Sequence, residues 1–292
     1  MTNVCRAGLR HPRVIGMLCA SGSVALGLVY LMCAGAPLRY VGINVGALVI
    51  GLTMLALLSR TAVAGERWAG PAVMAMAGVL LITAGLGERI DGASRWVRLG
   101  GLSIQPSLVF LPLMIVTFAR FRDRLAGVGL IVAAVALAIQ PDRAMAAMLA
   151  AGLIALAVMR PGRLVILAAG AAVAGFATTM VRADTLPAAP YVEQIIYSSF
   201  DVHIIIGAAV LAGCFLILVP AIIGWYGDRQ NRETYAAFGT IWLVAVLAAA
   251  LGNYPTPLVG YGASAIIGYI LSLLPLPGVA VSRTLAGNES RG

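Results

Sequence analysis

The chain has 292 residues, 61% hydrophobic and 11% charged, with a mean hydropathy of +0.97. Soluble domains carry about 25% charged residues, so this composition excludes a soluble globule. The formal charge of +9 comes from 20 basic residues, all arginine, and their scatter through short loops points to membrane topology rather than to a nucleic-acid partner.

In chain order, ten apolar segments are predicted as membrane-crossing helices: 14–34, 41–59, 69–87, 105–119, 125–140, 144–159, 164–181, 202–225, 234–252 and 258–276. A helix needs roughly 17–25 apolar residues to cross a bilayer, and the alternating strands of a membrane barrel are absent. The fold class read from this pattern is an all-α polytopic membrane protein, one integral membrane domain over 1–292 with no soluble insert. The first span follows Arg6, Arg10, His11 and Arg13, as a signal peptide would. It keeps spanning length without a small-residue cleavage site, so it is expected to stay in the chain. Pro112 and Pro220 are expected to kink their helices.

Arginine asymmetry sets the orientation. With the N-terminus inside, the inner connections carry Arg6, Arg10, Arg13, Arg60, Arg67, Arg120, Arg122, Arg124, Arg160, Arg163, Arg229, Arg232, Arg283 and Arg291. The outer ones carry Arg39, Arg89, Arg95, Arg98, Arg143 and Arg182. Positive-inside bias therefore predicts both termini in the cytoplasm of a cell bounded by a plasma membrane. Cys5, Cys19, Cys33 and Cys214 have no metal-ligand spacing, and two histidines, His11 and His203, make a histidine metal site an unpromising expectation.

The unusual residues then sort to the outer side: "GASRWVRLGGLSIQPS" (92–107), "IQPDRA" (139–144), "YVEQIIYSSFDVH" (191–203) and "NYPTPLVGYGAS" (253–264). Outer acids are Glu88, Asp91, Asp142, Asp184, Glu193 and Asp201. Ionisable groups are costly within the bilayer, so those at span ends face water or a polar cavity. Arginines, carboxylates and apolar walls on one side suit an amphiphile with an anionic head, a lipid-linked phosphate.

These stretches resemble the SEDS family (shape, elongation, division and sporulation). Its loop pattern N-G-A-x-R-W-I-x-L-G followed by Q-P-S-E is matched by Asp91–Gly100 and by Gln105-Pro106-Ser107. Ile139–Asp142 resembles its L-Q-P-D, and Pro257–Leu273 resembles P-x-x-S-Y-G-G-S leading into the last span. The matches fall in family order and together cover most of the chain. The resemblance implies a helical bundle with an outward-facing cavity. It also implies polymerisation of lipid II, a disaccharide-pentapeptide on undecaprenyl pyrophosphate, in division or cell-shape maintenance, with a monofunctional penicillin-binding transpeptidase as partner. The family's catalytic aspartate falls on Asp201, and the glutamate eight residues earlier on Glu193. Substrate-binding residues implied by the motifs are Arg95, Trp96, Arg98, Gln105, Asp142, Arg143, Tyr261 and Ser264.

The chemistry is consistent with those residue types. A carboxylate takes the proton of the attacking sugar hydroxyl, and positive charge from Arg95, Arg98 and Arg143 stabilises the leaving pyrophosphate. No protein-held metal is expected, although a divalent ion entering with the pyrophosphate would add to that charge. Gln-Pro turns are expected to bring helix ends to the cavity, and Gly260 and Gly262 to give the chain freedom at its return into the last span.

Departures from the family pattern are substantial. Leu108 stands where the family has Glu, and Leu111 where it has Lys. Loss of both together keeps the interior neutral. Ser199-Phe200 replaces His-Thr, and Gly207-Ala208-Ala209 stands near the family's downstream glutamates. Plainer roles stay open: Arg95 and Arg98 as head-group contacts, Trp96 as an interfacial anchor, Asp142 and Asp201 as N-caps of spans six and eight. So do two further functions, a non-catalytic lipid II-binding regulator and a flippase for the lipid-linked precursor.

Overall fold

The computed structural model describes residues 12–61, 65–90, 93–100, 102–181 and 188–277. The expectations for Cys5, Arg6, Arg10, His11, Asp91, Gly92, Arg182, Asp184, Arg283 and Arg291 concern positions outside this set. Twelve α-helices are described: α1 Pro12–Cys33, α2 Leu38–Leu58, α3 Glu66–Leu86, α4 Pro106–Phe121, α5 Arg124–Ile139, α6 Arg143–Met159, α7 Arg163–Val181, α8 Ile195–Val202, α9 Ile204–Leu216, α10 Val219–Gly227, α11 Arg232–Leu251 and α12 Ala263–Ser272. Six helical regions are long and apolar enough to cross a membrane, and four shorter apolar helices complete the ten predicted segments. The chain is a multi-pass helical membrane protein.

Polar residues at the loop ends decide where helices begin. The Asp123 carboxylate accepts from the Ala126 N–H (2.9 Å) to open α5, and Asp142 accepts from the Met145 N–H (3.3 Å) to open α6. Gln105 is extended (φ −100°, ψ 101°) and Pro106 takes the first helical turn of α4, as the restriction before proline and the missing proline donor favour.

Helices α4, α6, α11 and α12 form the centre, where Phe118, Trp242 and Tyr269 are fully buried. The Trp242 indole donates to Ser272 Oγ (3.2 Å), satisfying its one polar atom inside the bundle. A Cβ on Gly268 would lie 2.1 Å from the Leu108 carbonyl oxygen, so only glycine lets α12 approach the backbone of α4 this closely. Large apolar side chains on the perimeter, among them Leu38, Val181 and Leu251, remain exposed, as a lipid-facing surface requires.

Three expectations are corrected. The connection at 88–104 contains an antiparallel meander, β1 Glu88–Ile90, β2 Ala93–Leu99 and β3 Leu102–Ile104. Val97 pairs with Ile104 and Arg98 with Ser103, and a register shift interrupts the β1–β2 ladder between Glu88 and Arg89. Span eight is not one helix. It breaks between α9 and α10 because Pro220 has no N–H to return to Leu216, and the Tyr269 hydroxyl donates to the Ile217 carbonyl at the break (3.0 Å). Pro112 lies inside α4, which continues through it. Finally, the last span is helical only from Ala263; residues 255–262 form an irregular return, buried from Thr256 to Gly260.

Candidate functional site

One end of the bundle carries the meander and the N-termini of α4, α6 and α12. There the motifs meet, through contacts 35 residues and more apart in sequence. Asp142, 1% exposed, accepts from Gln105 Nε2 (2.9 Å) and from Ser107 Oγ (3.1 Å) while its other oxygen caps α6. The Gln105 backbone N–H donates to Ser264 Oγ (3.0 Å), the first turn of α12. Arg95 reaches across from β2 to donate to the Pro141 carbonyl, and its guanidinium lies 5.9 Å from the centre of the Trp96 ring. Three helix starts and one strand are thus fixed to each other by side chains from separate motifs.

A cavity of about 670 Å³ opens beside this junction. Its wall is apolar along α2 and α12 (Ile43, Gly46, Ile50, Ile267), and Leu108, Val109 and Met145 continue it at the helix starts. Polar groups of the lining include Arg95, Trp96, Gln105, Glu193, Tyr261 and Ser264. Among the described residues, Arg95 and Glu193 are the charged ones of the lining. Leu108 stands on the cavity wall and Leu111 in the fully buried core, so both positions where the family carries charge are closed with hydrocarbon.

The segment bearing Glu193 is tied to the irregular return before α12. The Thr256 N–H donates to the Val192 carbonyl (2.9 Å), the Tyr261 N–H to the Tyr191 carbonyl (2.7 Å), and Gln194 Nε2 to Asn253 Oδ1 (2.9 Å). Glu193 accepts from the Ala189 N–H (2.9 Å). The return itself is held by Asn44, fully buried in α2, which donates to the Gly260 carbonyl (2.9 Å) and accepts from the Gly262 N–H (3.2 Å). Tyr40 stacks on Tyr261 with ring centres 3.9 Å apart. Asn44 and Tyr40 were missed from the sequence. The available signal for Asn44 is an amide in an otherwise apolar span, where an unsatisfied polar group is costly. The glycine expectation is corrected too: Gly262 is extended (φ 174°), and the left-handed residue of the return is Leu258 (φ 63°). Gly260 matters for space instead, since a Cβ there would meet Ile195 at 2.6 Å.

The remaining named residues lie off the lining. Asp142 sits behind the wall as a buried junction, and Arg143 is half-buried with Nε donating to the Thr179 carbonyl (3.1 Å). Arg98 is exposed on β2. Asp201 is exposed near the end of α8. It is not the cap of the following helix: His203 takes that place, its Nδ1 accepting from the Ile205 N–H (3.1 Å). Among the described residues no three His, Cys, Asp or Glu side chains gather to hold a metal, and Glu193 is the one carboxylate of the lining.

No protein-family model and no curated protein matches the chain. Solved structures do. The crystal structure of the rod shape determining protein RodA of Thermus thermophilus is 21% identical, with 89% of this chain and 93% of that one covered and a TM-score of 0.63. An aspartate-to-alanine variant of that RodA gives 21% identity, coverage of 89% and 94%, and a TM-score of 0.64. A chain from a peptidoglycan synthase complex that coordinates polymerization and crosslinking gives 20% identity, coverage of 89% and 94%, and a TM-score of 0.58. The chain therefore has the RodA fold.

Proposed function

We propose that this chain is a SEDS-type peptidoglycan glycosyltransferase that polymerises lipid II at the outer face of a bacterial plasma membrane. The observation that carries the reading is the meeting of the three motifs, through Arg95, Gln105, Asp142 and Ser264, at one apolar cavity whose charged lining is Arg95 and Glu193. The RodA fold supports it. The apolar wall suits the undecaprenyl chain and Arg95 the pyrophosphate. The acceptor sugar's hydroxyl oxygen bonds to the donor's anomeric carbon as the bond from that carbon to the pyrophosphate breaks. A carboxylate, Asp201 assisted by Glu193, takes the hydroxyl proton. Arginine and carboxylate are the protein's own groups in these steps, and a divalent ion entering with the pyrophosphate would add to the positive charge on the leaving group. A penicillin-binding transpeptidase is the proposed partner for crosslinking.

The test is incubation of the purified protein with labelled lipid II, with and without divalent ions, followed by separation of glycan products. Lengthening strands support the enzyme. Binding without product, with transpeptidase partners present, overturns it. Two observations favour a non-catalytic lipid II-binding regulator as second reading: Leu108 and Leu111 where charge is expected, and the exposed position of Asp201.

Two expected outcomes follow from the proposed orientation and site. A cytoplasm-active reporter fused after Gly292 is expected to work inside the cell, and activity of a periplasmic reporter at that point would invert the orientation. Arg95→Ala is expected to weaken lipid II binding about tenfold or more, because a buried charge-assisted contact is lost. Arg98→Ala is expected to weaken it less and mainly at low salt, since exposed charges are screened within about 10 Å at 0.1 M. Unchanged binding in both variants returns the two arginines to head-group contact.

A further inference from the structure

The end of the bundle opposite the cavity carries a cluster of arginines with unspent donors. Arg122 follows α4 in a left-handed backbone conformation (φ 54°, ψ 29°). Its side chain is half-buried, with the guanidinium 6.0 Å from the centre of the Phe118 ring. One terminal nitrogen donates to the Arg160 carbonyl (3.2 Å), while Nε and the other terminal nitrogen have no hydrogen-bond partner. Arg160, after α6, is paired with Glu233 (3.0 Å) but 68% exposed. Arg124 and Arg163 flank the two loops. The acids nearby are committed elsewhere: Asp123 caps α5, and Glu233 holds Arg160.

A positive charge at a helix C-terminus is ordinarily explained by the helix dipole. That explains why Arg122 is charged but leaves two of its donor groups unsatisfied, and buried unsatisfied donors call for an unseen partner. Burial and the adjacent Arg160 charge hold the Arg122 guanidinium below its ordinary pKa, with Glu233, the partner of Arg160, opposing them, so one carboxylate serves two cations. Beside these loops, Leu125 and Val128 on α5 and Ile154 and Val158 on α6 are exposed apolar side chains. Phosphate chemistry next to lipid-facing hydrocarbon is the arrangement of a phospholipid.

We propose that Arg122 and Arg160 form a binding site for the phosphate of an anionic phospholipid at the end of the bundle opposite the cavity. Arg160, exposed and on a long side chain, swings from Glu233 toward the phosphate. The Nε edge of Arg122 supplies the planar donor fork that phosphate oxygens accept, and the acyl chains lie along α5 and α6.

The experiment is native mass spectrometry and thermal melting of the full chain, with phosphatidylglycerol, cardiolipin and phosphatidylcholine as probes and inorganic phosphate as the soluble control. Wild-type protein is expected to retain and be stabilised by the anionic lipids over phosphatidylcholine. Arg122→Gln and Arg160→Gln are each expected to lower that retention about fivefold, and Arg60→Gln, at the same end, to leave it intact. If Arg122→Gln fails to fold, Arg160→Gln, altering an exposed side chain, decides alone. Equal retention in the variants and the wild type overturns the site. Equal stabilisation by inorganic phosphate overturns the lipid and leaves a soluble anion.

Discussion

Asp201→Asn is expected to lower glycan polymer formation by about 10²–10⁴-fold, the usual worth of a general base, with lipid II binding and melting temperature unchanged. The structure makes this substitution informative. Asp201 is exposed, and the helix after it is capped by His203. Exposed substitutions away from such features fall within about 0.5 kcal/mol, so lost product would mean lost chemistry. Its place off the lining is compatible with the proposed substrate, lipid II. A cavity of about 670 Å³ takes a pyrophosphate and the first part of a prenyl chain, but a disaccharide-pentapeptide must stand outside it, where an exposed carboxylate meets its hydroxyl. Glu193→Gln is the necessary companion, because Glu193 does line the cavity. A silent Asp201→Asn beside an inactive Glu193→Gln would move the base to Glu193. An active wild type with both variants unaffected would remove carboxylate catalysis from this site altogether.

The spans were legible because hydrocarbon length and arginine positions are properties of the sequence, read without knowing any contact. What failed was backbone geometry inside apolar stretches. Leu258 and Val259 are buried at 1% and 0%, so hydropathy counts them into a helix, yet the chain there is an irregular return. The break in span eight shows the same limit: Pro220 was visible, but the bond that satisfies the Ile217 carbonyl beside the break comes from Tyr269, 52 residues later in the chain. Strand β2 was hidden because seven residues in a loop give too short an alternation to separate from a connector. At the site, motif resemblance picked out Arg95, Gln105, Asp142 and Ser264, which the fold brings together. It had no means of finding Asn44 or Tyr40, whose partners lie more than 200 residues away.

Asp142→Ala is expected to lower stability by about 3–5 kcal/mol, the largest effect of any single change at the junction. The carboxylate is 1% exposed and accepts from Gln105 Nε2, Ser107 Oγ and the Met145 N–H. Removing it strands two side-chain donors in a dry site at about 1–3 kcal/mol each and takes the cap from α6 at about 0.5–2 kcal/mol. Part of that is offset because the buried carboxylate no longer has to be desolvated. Asp142→Asn should fall between: one amide oxygen still accepts, but the NH₂ group then faces either the Met145 N–H or both Gln105 and Ser107, which share one carboxylate oxygen. Gln105→Ala then tests the coupling. If the two side chains form one junction, Asp142→Ala and Gln105→Ala together should cost less than the sum of the singles by about 0.5–3 kcal/mol. Loss of the junction should also loosen β3 and α4, so lipid II binding is expected to fall with the melting temperature, even though Asp142 itself does not line the cavity. Additive single costs, or a melting temperature left at the wild-type value in Asp142→Ala, would mean that the cavity wall is held by helix packing alone and that the motifs meet there without supporting it.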